Sequence, residues 1–232
     1  MKKTGADEGR GKMKVKAFLT QFDDTIGYDL EITDDKATVQ CYLDAVNEFQ
    51  EKHVASCKGC DGCCWERIPL TAIDVINYLS AEKILSLLPL KTPLLSSFVH
   101  RFCHVFCKGP VIDITLKNRP DGACLFLDTK QKICTHHSIR SLVCQTYVCL
   151  PHSEKAGRLR DTILNTGEDE LVRRYLSEAC STGQYPKIDE DIDAAPSLEN
   201  YPPTPFSGKN RYEEILIKDI IPSDLWKNIY KP

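Results

Sequence analysis

The placement of cysteine constrains this chain more than any other feature of its sequence. Of the 12 cysteines in 232 residues, ten lie between Cys57 and Cys149. The basic N-terminus has no apolar segment behind it, so the sequence predicts no secretory signal and a cytoplasmic location. Because thiols stay reduced in the cytoplasm, so dense a set of cysteines favours metal binding or catalysis over a disulfide framework.

Charge and hydropathy argue against two classes of partner. The formal net charge is -3 and the pI is about 6.1, so a basic surface for nucleic acid is not expected. No apolar run approaches the roughly 20 residues that a membrane-spanning helix needs, so we predict no membrane partner. A hydrophobic content of 42% is ordinary for a globular protein, and we expect the chain to bury a core of its own.

The first cysteine cluster is the motif CKGCDGCC at residues 57–64. A two-residue spacer lets two thiolates meet one ion across a tight turn, and the two glycines leave room for the backbone to curl. A bacterial ferredoxin motif would continue with a cysteine where this chain has Arg67. The remaining ligands must therefore come from elsewhere in the chain.

Four later cysteines bring the number of candidate metal ligands to eight. The predicted ligand set is Cys57, Cys60, Cys63, Cys64, Cys124, Cys134, Cys144 and Cys149. The adjacent Cys63 and Cys64 are awkward ligands for one ion, since neighbouring side chains usually diverge. Two nearby metal centres, or one centre with a free or supporting thiol, both explain the pair. Eight thiols rather than four favour more than one metal atom, with an iron–sulfur cluster slightly ahead of zinc.

The rest of the sequence predicts an α+β fold, a small irregular domain that metal stabilises, with several short helices and a small antiparallel sheet. The chain divides into a mobile N-terminal segment at residues 1–35, a cysteine-cluster metal-binding domain at 36–180 and a proline-rich extension at 181–232. The extension holds seven of the 13 prolines, and we expect it to wrap the body or to hold a protein partner.

Hydrophobic periodicity and capping residues place the main elements. Helices are predicted at residues 36–54, 71–79, 81–88, 93–107 and 168–179. Alternating apolar residues and turn signals predict short strands at residues 111–116, 124–127 and 132–134. In the extension, a strand-like piece at residues 214–221 and a short helix at 224–230 are expected to anchor the chain.

A second group of metal-binding residue types lies on the helix predicted at residues 93–107. The group comprises His100, Cys103, His104 and Cys107, whose spacing would put them on one helical face. One face of a single helix cannot enclose an ion alone, so a packed helix is the favoured interpretation. The isolated Cys41 and Cys180 are likewise interpreted as small buried apolar residues.

Polar residues near the later cysteines are expected to support the thiolates. For His136 and His137, a structural or supporting role is favoured over direct ligation. Arg140 lies four residues before Cys144, where a cation stabilises charged sulfur.

Two long segments, CKGCDGCCWERIPLTAIDVINYL and CLFLDTKQKICTHHSIRSLVC, resemble in order the CxxCxxCC (YkgJ-like) family of zinc- or iron-chelating proteins. The resemblance covers about residues 57–149. It implies that the metal-site positions are Cys57, Cys60, Cys63, Cys64, Cys124, Cys134 and Cys144, with Cys149 extending the pattern more weakly. The family usually has Arg-Pro before the later cysteine, whereas Ser141 follows Arg140 here. We therefore expect the local turn to differ from that of the family, while the set of metal ligands stays the same.

Two hypotheses about function follow. The first is a cytoplasmic metal-binding protein whose thiolates hold zinc or iron, including an iron–sulfur cluster. The alternative is a metal- or iron–sulfur-dependent enzyme, because a related cysteine cluster occurs in flagellin lysine methylases, which are protein methyltransferases. Motifs for phosphate cradling, dinucleotide binding and zinc proteolysis are absent from the sequence, and no catalytic residue is predicted.

Overall fold

The computed structural model of the chain describes residues 13–54, 58–89, 93–183 and 185–232. The α-helices in these ranges are α1 (Val39–His53), α2 (Ala72–Leu79), α3 (Glu82–Leu85), α4 (Leu94–Phe102), α5 (Leu142–Thr146), α6 (Glu154–Thr182) and α7 (Ser223–Ile229). The strands are β1 (Val15–Phe22), β2 (Thr25–Ile32), β3 (Cys103–Lys108), β4 (Val111–Leu116), β5 (Leu127–Asp128), β6 (Ile133–Cys134) and β7 (Glu190–Ile192). The predicted α+β class, with short helices and small sheets, is confirmed.

An antiparallel hairpin of β1 and β2 opens the described chain. Its register runs from Val15 opposite Ile32 to Phe22 opposite Thr25. Tyr28 and Leu30 are fully buried, because the alternation of apolar and polar residues in β2 turns one face inward. The sequence predicts a mobile segment at residues 1–35. Residues 15–32 form the paired strands of this hairpin instead, which differs from that prediction. Residues 1–12 lie outside the described part.

Helix α1 packs against this hairpin and confirms the helix predicted at residues 36–54. The Thr38 side chain caps its first turn by accepting from the backbone N–H of Cys41. Tyr42, Val46 and Phe49 lie on its buried face. The hairpin, α1 and the first half of α6 thereby enclose one hydrophobic core.

The second core forms around α2, α4 and the strands β3 and β4. The predicted cap of α2 is confirmed: Thr71 and Asp74 form a capping box at its start. The helix predicted to reach residue 107 is wrong beyond Phe102, where α4 ends and β3 begins. From Cys103 to Cys107 buried and half-buried residues alternate, and that alternation suits a strand paired with β4.

Helix α6 runs past both cores and is longer than the predicted helix at residues 168–179. Gly167 lies at its closest approach to other elements. A Cβ at this position would come within 2.6 Å of the Thr71 side chain and 3.1 Å of Phe206. The glycine therefore lets α6 pack tightly against α2 and the C-terminal extension at once.

The C-terminal extension packs on the body of the molecule. Phe206, Ile215, Ile217 and Leu225 are each buried completely or almost so. The piece predicted as strand at residues 214–221 forms 3₁₀ turns instead, whereas the short helix predicted at 224–230 appears as α7. Within the described ranges, no helix combines the length and the apolar character needed to cross a membrane.

Candidate metal centre

A cavity of about 80 Å³ brings the two cysteine clusters together. Among the thiols that line it are seven of the eight predicted ligands: Cys60, Cys63, Cys64, Cys124, Cys134, Cys144 and Cys149. The eighth, Cys57, lies outside the described residues. We call this space the cysteine cavity. The expectation that the loop at residues 57–64 packs against residues 124–149 is met by the described part of that loop.

Hydrogen bonds join the first cluster to the later one. The backbone N–H of Cys124 donates to the carbonyl oxygen of Cys64 at 2.7 Å, and the N–H of Gly59 donates to the carbonyl of Lys132 at 3.0 Å. The Lys132 ammonium lies 3.5 Å from the Asp61 carboxylate. Gly59 has a φ of 89°, which favours glycine over residues with a side chain. Backbone contacts thus hold the two segments side by side.

Short elements present the individual thiols. Cys63 and Cys64 lie in a 3₁₀ turn at Gly62–Trp65, and Cys134 ends β6. Cys144 lies on α5, where the Ser141 hydroxyl accepts from the Cys144 N–H at 3.5 Å. Ser141 is therefore the cap of this helix, at the position where the sequence departs from Arg-Pro.

Apolar side chains form the rest of the cavity wall, and one side is open to solvent. Tyr78 and Phe126 line it and are buried, whereas Tyr147, also in the lining, is 45% exposed. Cys60 and Cys149 are exposed. The cavity is therefore apolar on its inner side and reachable from solvent near these two thiols.

The surroundings favour the protonated form of four thiols in the lining: Cys63, Cys124, Cys134 and Cys144. Burial raises the pKa of Cys124 and Cys134, and it raises the pKa of Cys144 to about 12. A hydrogen bond with Cys64, followed by burial, raises the pKa of Cys63. The Arg140 guanidinium opposes these effects at Cys63 and Cys134. A metal that binds here must therefore displace protons.

The donor set fits a thiophilic metal. Sulfur ligands suit zinc and iron–sulfur chemistry, whereas calcium and magnesium need oxygen ligands. The cavity has several times the roughly 10–15 Å³ that one water molecule requires. Across the described ranges, which leave out Cys57, no three Cys, His, Asp or Glu side chains converge in a ready-made metal site. The thiols therefore share a cavity, and ligation requires their side chains to turn toward the ion.

Two polar atoms beside these thiols have no hydrogen-bond partner among the described residues. They are Nε2 of His137 and Nε of Arg140, and both are buried. Both residues line the cysteine cavity. Sequence reasoning assigned them supporting roles, but it missed Tyr147, whose position between Cys144 and Cys149 was the available signal.

The second group of candidate ligands is not brought together, because β3 replaces the predicted helix. Cys103 and Cys107 are buried in the core, whereas His104 is half-buried and lies 3.5 Å from the Glu190 carboxylate. His100 bonds to the hydroxyl of Tyr175. The isolated Cys180 is exposed on α6, so its interpretation as a buried apolar residue is wrong.

Comparison with protein families finds a match that spans both cysteine clusters. Residues 56–163 match the model of the CxxCxxCC family, whose description is "putative zinc- or iron-chelating domain". Neither a curated protein nor a solved structure matches the chain. The matched range contains all eight predicted ligands. Residues 56–163 of this chain are thus similar to the domain that defines the CxxCxxCC family.

Proposed function

We propose that this protein binds a thiophilic metal in the cysteine cavity. The observation that carries the proposal is that seven cysteines, from segments more than 50 residues apart, line one small cavity. Shared ligation of a metal explains why thiols that are distant in sequence are concentrated in one place. The proposed ligands are Cys57, Cys60, Cys63, Cys64, Cys124, Cys134, Cys144 and Cys149.

The finer proposal is an iron–sulfur cluster, with more than one metal atom per chain. Two observations support it over a single zinc. A closed structural zinc site uses four ligands, and the chain offers eight. The cavity is also larger than one ion needs. When bound, a cluster of this kind would supply one-electron chemistry, and its potential would depend on burial and on hydrogen bonds to sulfur.

The chain's own residues would tune such a site. Tyr78 and Phe126 make the inner side apolar, which strengthens electrostatic interactions there. Arg140 is a cation beside Cys63 and Cys134, and it favours their charged form. The open side at Cys60 and Cys149 leaves a route for metal to enter from solvent.

Metal analysis of anaerobically purified protein tests the proposal. The protein is expressed with iron and sulfide available, and metal and sulfide are counted per chain. We expect more than one iron per chain, and a brown colour whose broad visible absorption bleaches on reduction. A colourless protein with one zinc per chain would reject the cluster but keep metal binding. A protein that holds neither metal would reject both.

The second candidate function is a metal-dependent enzyme, such as a protein methyltransferase. The observation that favours it is the openness of the cysteine cavity at exposed Cys60, Cys149 and Tyr147, since a purely structural site would be closed. Turnover of a methyl donor with a lysine-containing acceptor, lost when Cys60 is replaced, would support this candidate. We also propose a cytoplasmic location and a protein partner that the C-terminal extension holds.

A further inference from the structure

A second, polar cavity of about 450 Å³ lies on the other side of His137 and Arg140. These two residues line both this space and the cysteine cavity. Side chains from α1 and α5 contribute Asn47 and Gln145 to its lining. Its volume falls in the range of small-molecule sites. We call this space the polar cavity.

Neighbouring elements hold Arg140 in place. Its Nη2 donates to Oδ1 of Asn47 at 2.8 Å, and its Nη1 donates to the carbonyl of His137 at 3.2 Å. The Gln145 amide donates to the carbonyl of Arg140 at 2.8 Å, and Asn47 donates to Gln145 at 3.1 Å. This closed set of bonds fixes the guanidinium before any ligand arrives, so little ordering cost remains.

The contact between Arg140 and His137 favours one tautomer of the histidine. Nη1 of Arg140 lies 3.5 Å from Nδ1 of His137. Because a guanidinium only donates, this contact favours Nδ1 as the acceptor and Nε2 as the protonated nitrogen of the neutral ring. Nε2 is buried and has no partner among the described residues. In this tautomer His137 offers a hydrogen-bond donor at Nε2.

Arg140 presents a second unpaired donor, at Nε. No ion pair joins its guanidinium to a carboxylate in the described part of the chain. A half-buried cation carries a desolvation cost that a bound anion would offset. Lys58 and one acid, Glu51, also line the cavity. Guanidinium and amide N–H groups are the donors that an oxyanion requires.

We infer that the polar cavity binds a small molecule bearing an oxyanion, a carboxylate or a phosphate, through Arg140 and His137. The same two residues face the thiols, so such a ligand would sit directly beside the metal centre. The proposed anion site is the polar cavity, which is separate from the thiols that would hold the metal. Anion binding there does not depend on which metal the thiols bind.

Titration of small probes into the protein as purified tests this inference, with metal content measured on the same sample. The probes are acetate, inorganic phosphate and the neutral acetamide, followed by calorimetry. We expect acetate or phosphate to bind and acetamide not to bind, and the two anions distinguish a carboxylate from a phosphate ligand. No binding of either anion, or equal binding of acetamide, would overturn the inference. If the sample contains metal but does not bind the anions selectively, metal binding stands as the proposed function. Nε2 of His137 and Nε of Arg140 would then interact only with the thiols.

Substitution of Asn47 by aspartate sharpens the test. Asn47→Asp keeps the size of the side chain and places a competing carboxylate on the guanidinium. We expect anion affinity to fall by at least about tenfold, without loss of metal. Asn165→Asp adds the same charge at an exposed position on α6 and should change nothing. Gln145→Glu replaces Asn47→Asp if that variant fails to fold, and unchanged affinity in the folded variant would contradict the inference.

Discussion

The N–H of Cys124 donates to the carbonyl oxygen of Cys64 at 2.7 Å, and this bond crosses from one cysteine cluster to the other. The cysteine cavity therefore depends on backbone pairing as well as on any metal. The proposed metal would bind where these backbone bonds already place the two clusters side by side, so its loss should loosen the site more than the hairpin and α1.

The first prediction compares two exposed cysteines, only one of which lines the cysteine cavity. Cys60 lines it, whereas Cys180 lies on α6 away from it. We expect Cys60→Ser to lower metal affinity by at least about tenfold and to reduce Tm, because ligation and folding are coupled. Cys180→Ser is the matched control and should change neither. Metal per chain and thermal unfolding are the measurements, and equal small effects at both positions would argue against ligation by Cys60.

The second prediction concerns pH. Burial raises the pKa of Cys124, Cys134 and Cys144, so these thiols are protonated at neutral pH before metal binds. Each proton that metal displaces makes the apparent affinity rise about tenfold per pH unit. We therefore expect affinity to increase steeply from about pH 6 to pH 8. Competition against a chelator of known pH dependence measures it, and a flat profile would show that metal binding does not displace thiol protons.

Each of the two cysteine clusters was predictable from sequence because each depends on local motifs. The spacing of the cluster at residues 57–64 and the hairpin around Cys134 are short-range features, and both reappear in the structure. The start of α2 was predictable for the same reason, since Thr71 and Asp74 are three residues apart.

Features that depend on distant pairing were not predictable. The run from Phe98 to Cys107 is apolar at both helical and strand spacings, and only its pairing with β4 makes residues 103–108 a strand. The contact between Asn47 and Arg140 joins residues 93 apart, and no local pattern predicts it. The polar cavity therefore could not be predicted from the sequence.

The third prediction concerns the tight packing of α6. Gly167→Ala adds a methyl group within 2.6 Å of the Thr71 side chain, where the neighbouring elements must move apart. We expect the free energy of unfolding to fall by about 1–3 kcal/mol, although alanine is the better helix former. Ser181→Ala, at an exposed position near the end of the same helix, is the control and should be neutral. Denaturant unfolding measures both, and a stabilised Gly167→Ala would show that the contact relaxes freely.

The last prediction concerns a buried carboxyl that links the fold to the site. Asp74 accepts from the N–H of Leu142, at the start of the helix that carries Cys144, and from the hydroxyl of Tyr212, each at 2.8 Å. Burial raises its pKa from 3.8 to about 6. The folded state thus holds this proton more tightly than the unfolded state does. The resulting stabilisation is complete below about pH 4 and is lost as pH rises through about 6.

Asp74→Asn removes this titration, so the wild type should lose stability relative to the variant as pH rises from about 4 to 7. The loss amounts to about 3 kcal/mol for a shift of two pKa units. Denaturant unfolding at several pH values measures it, with Asp44→Asn at an exposed position of α1 as the control for the loss of one carboxyl. A difference between wild type and variant that does not change with pH would mean that Asp74 is ionised throughout, held by its hydrogen bonds against the cost of burial.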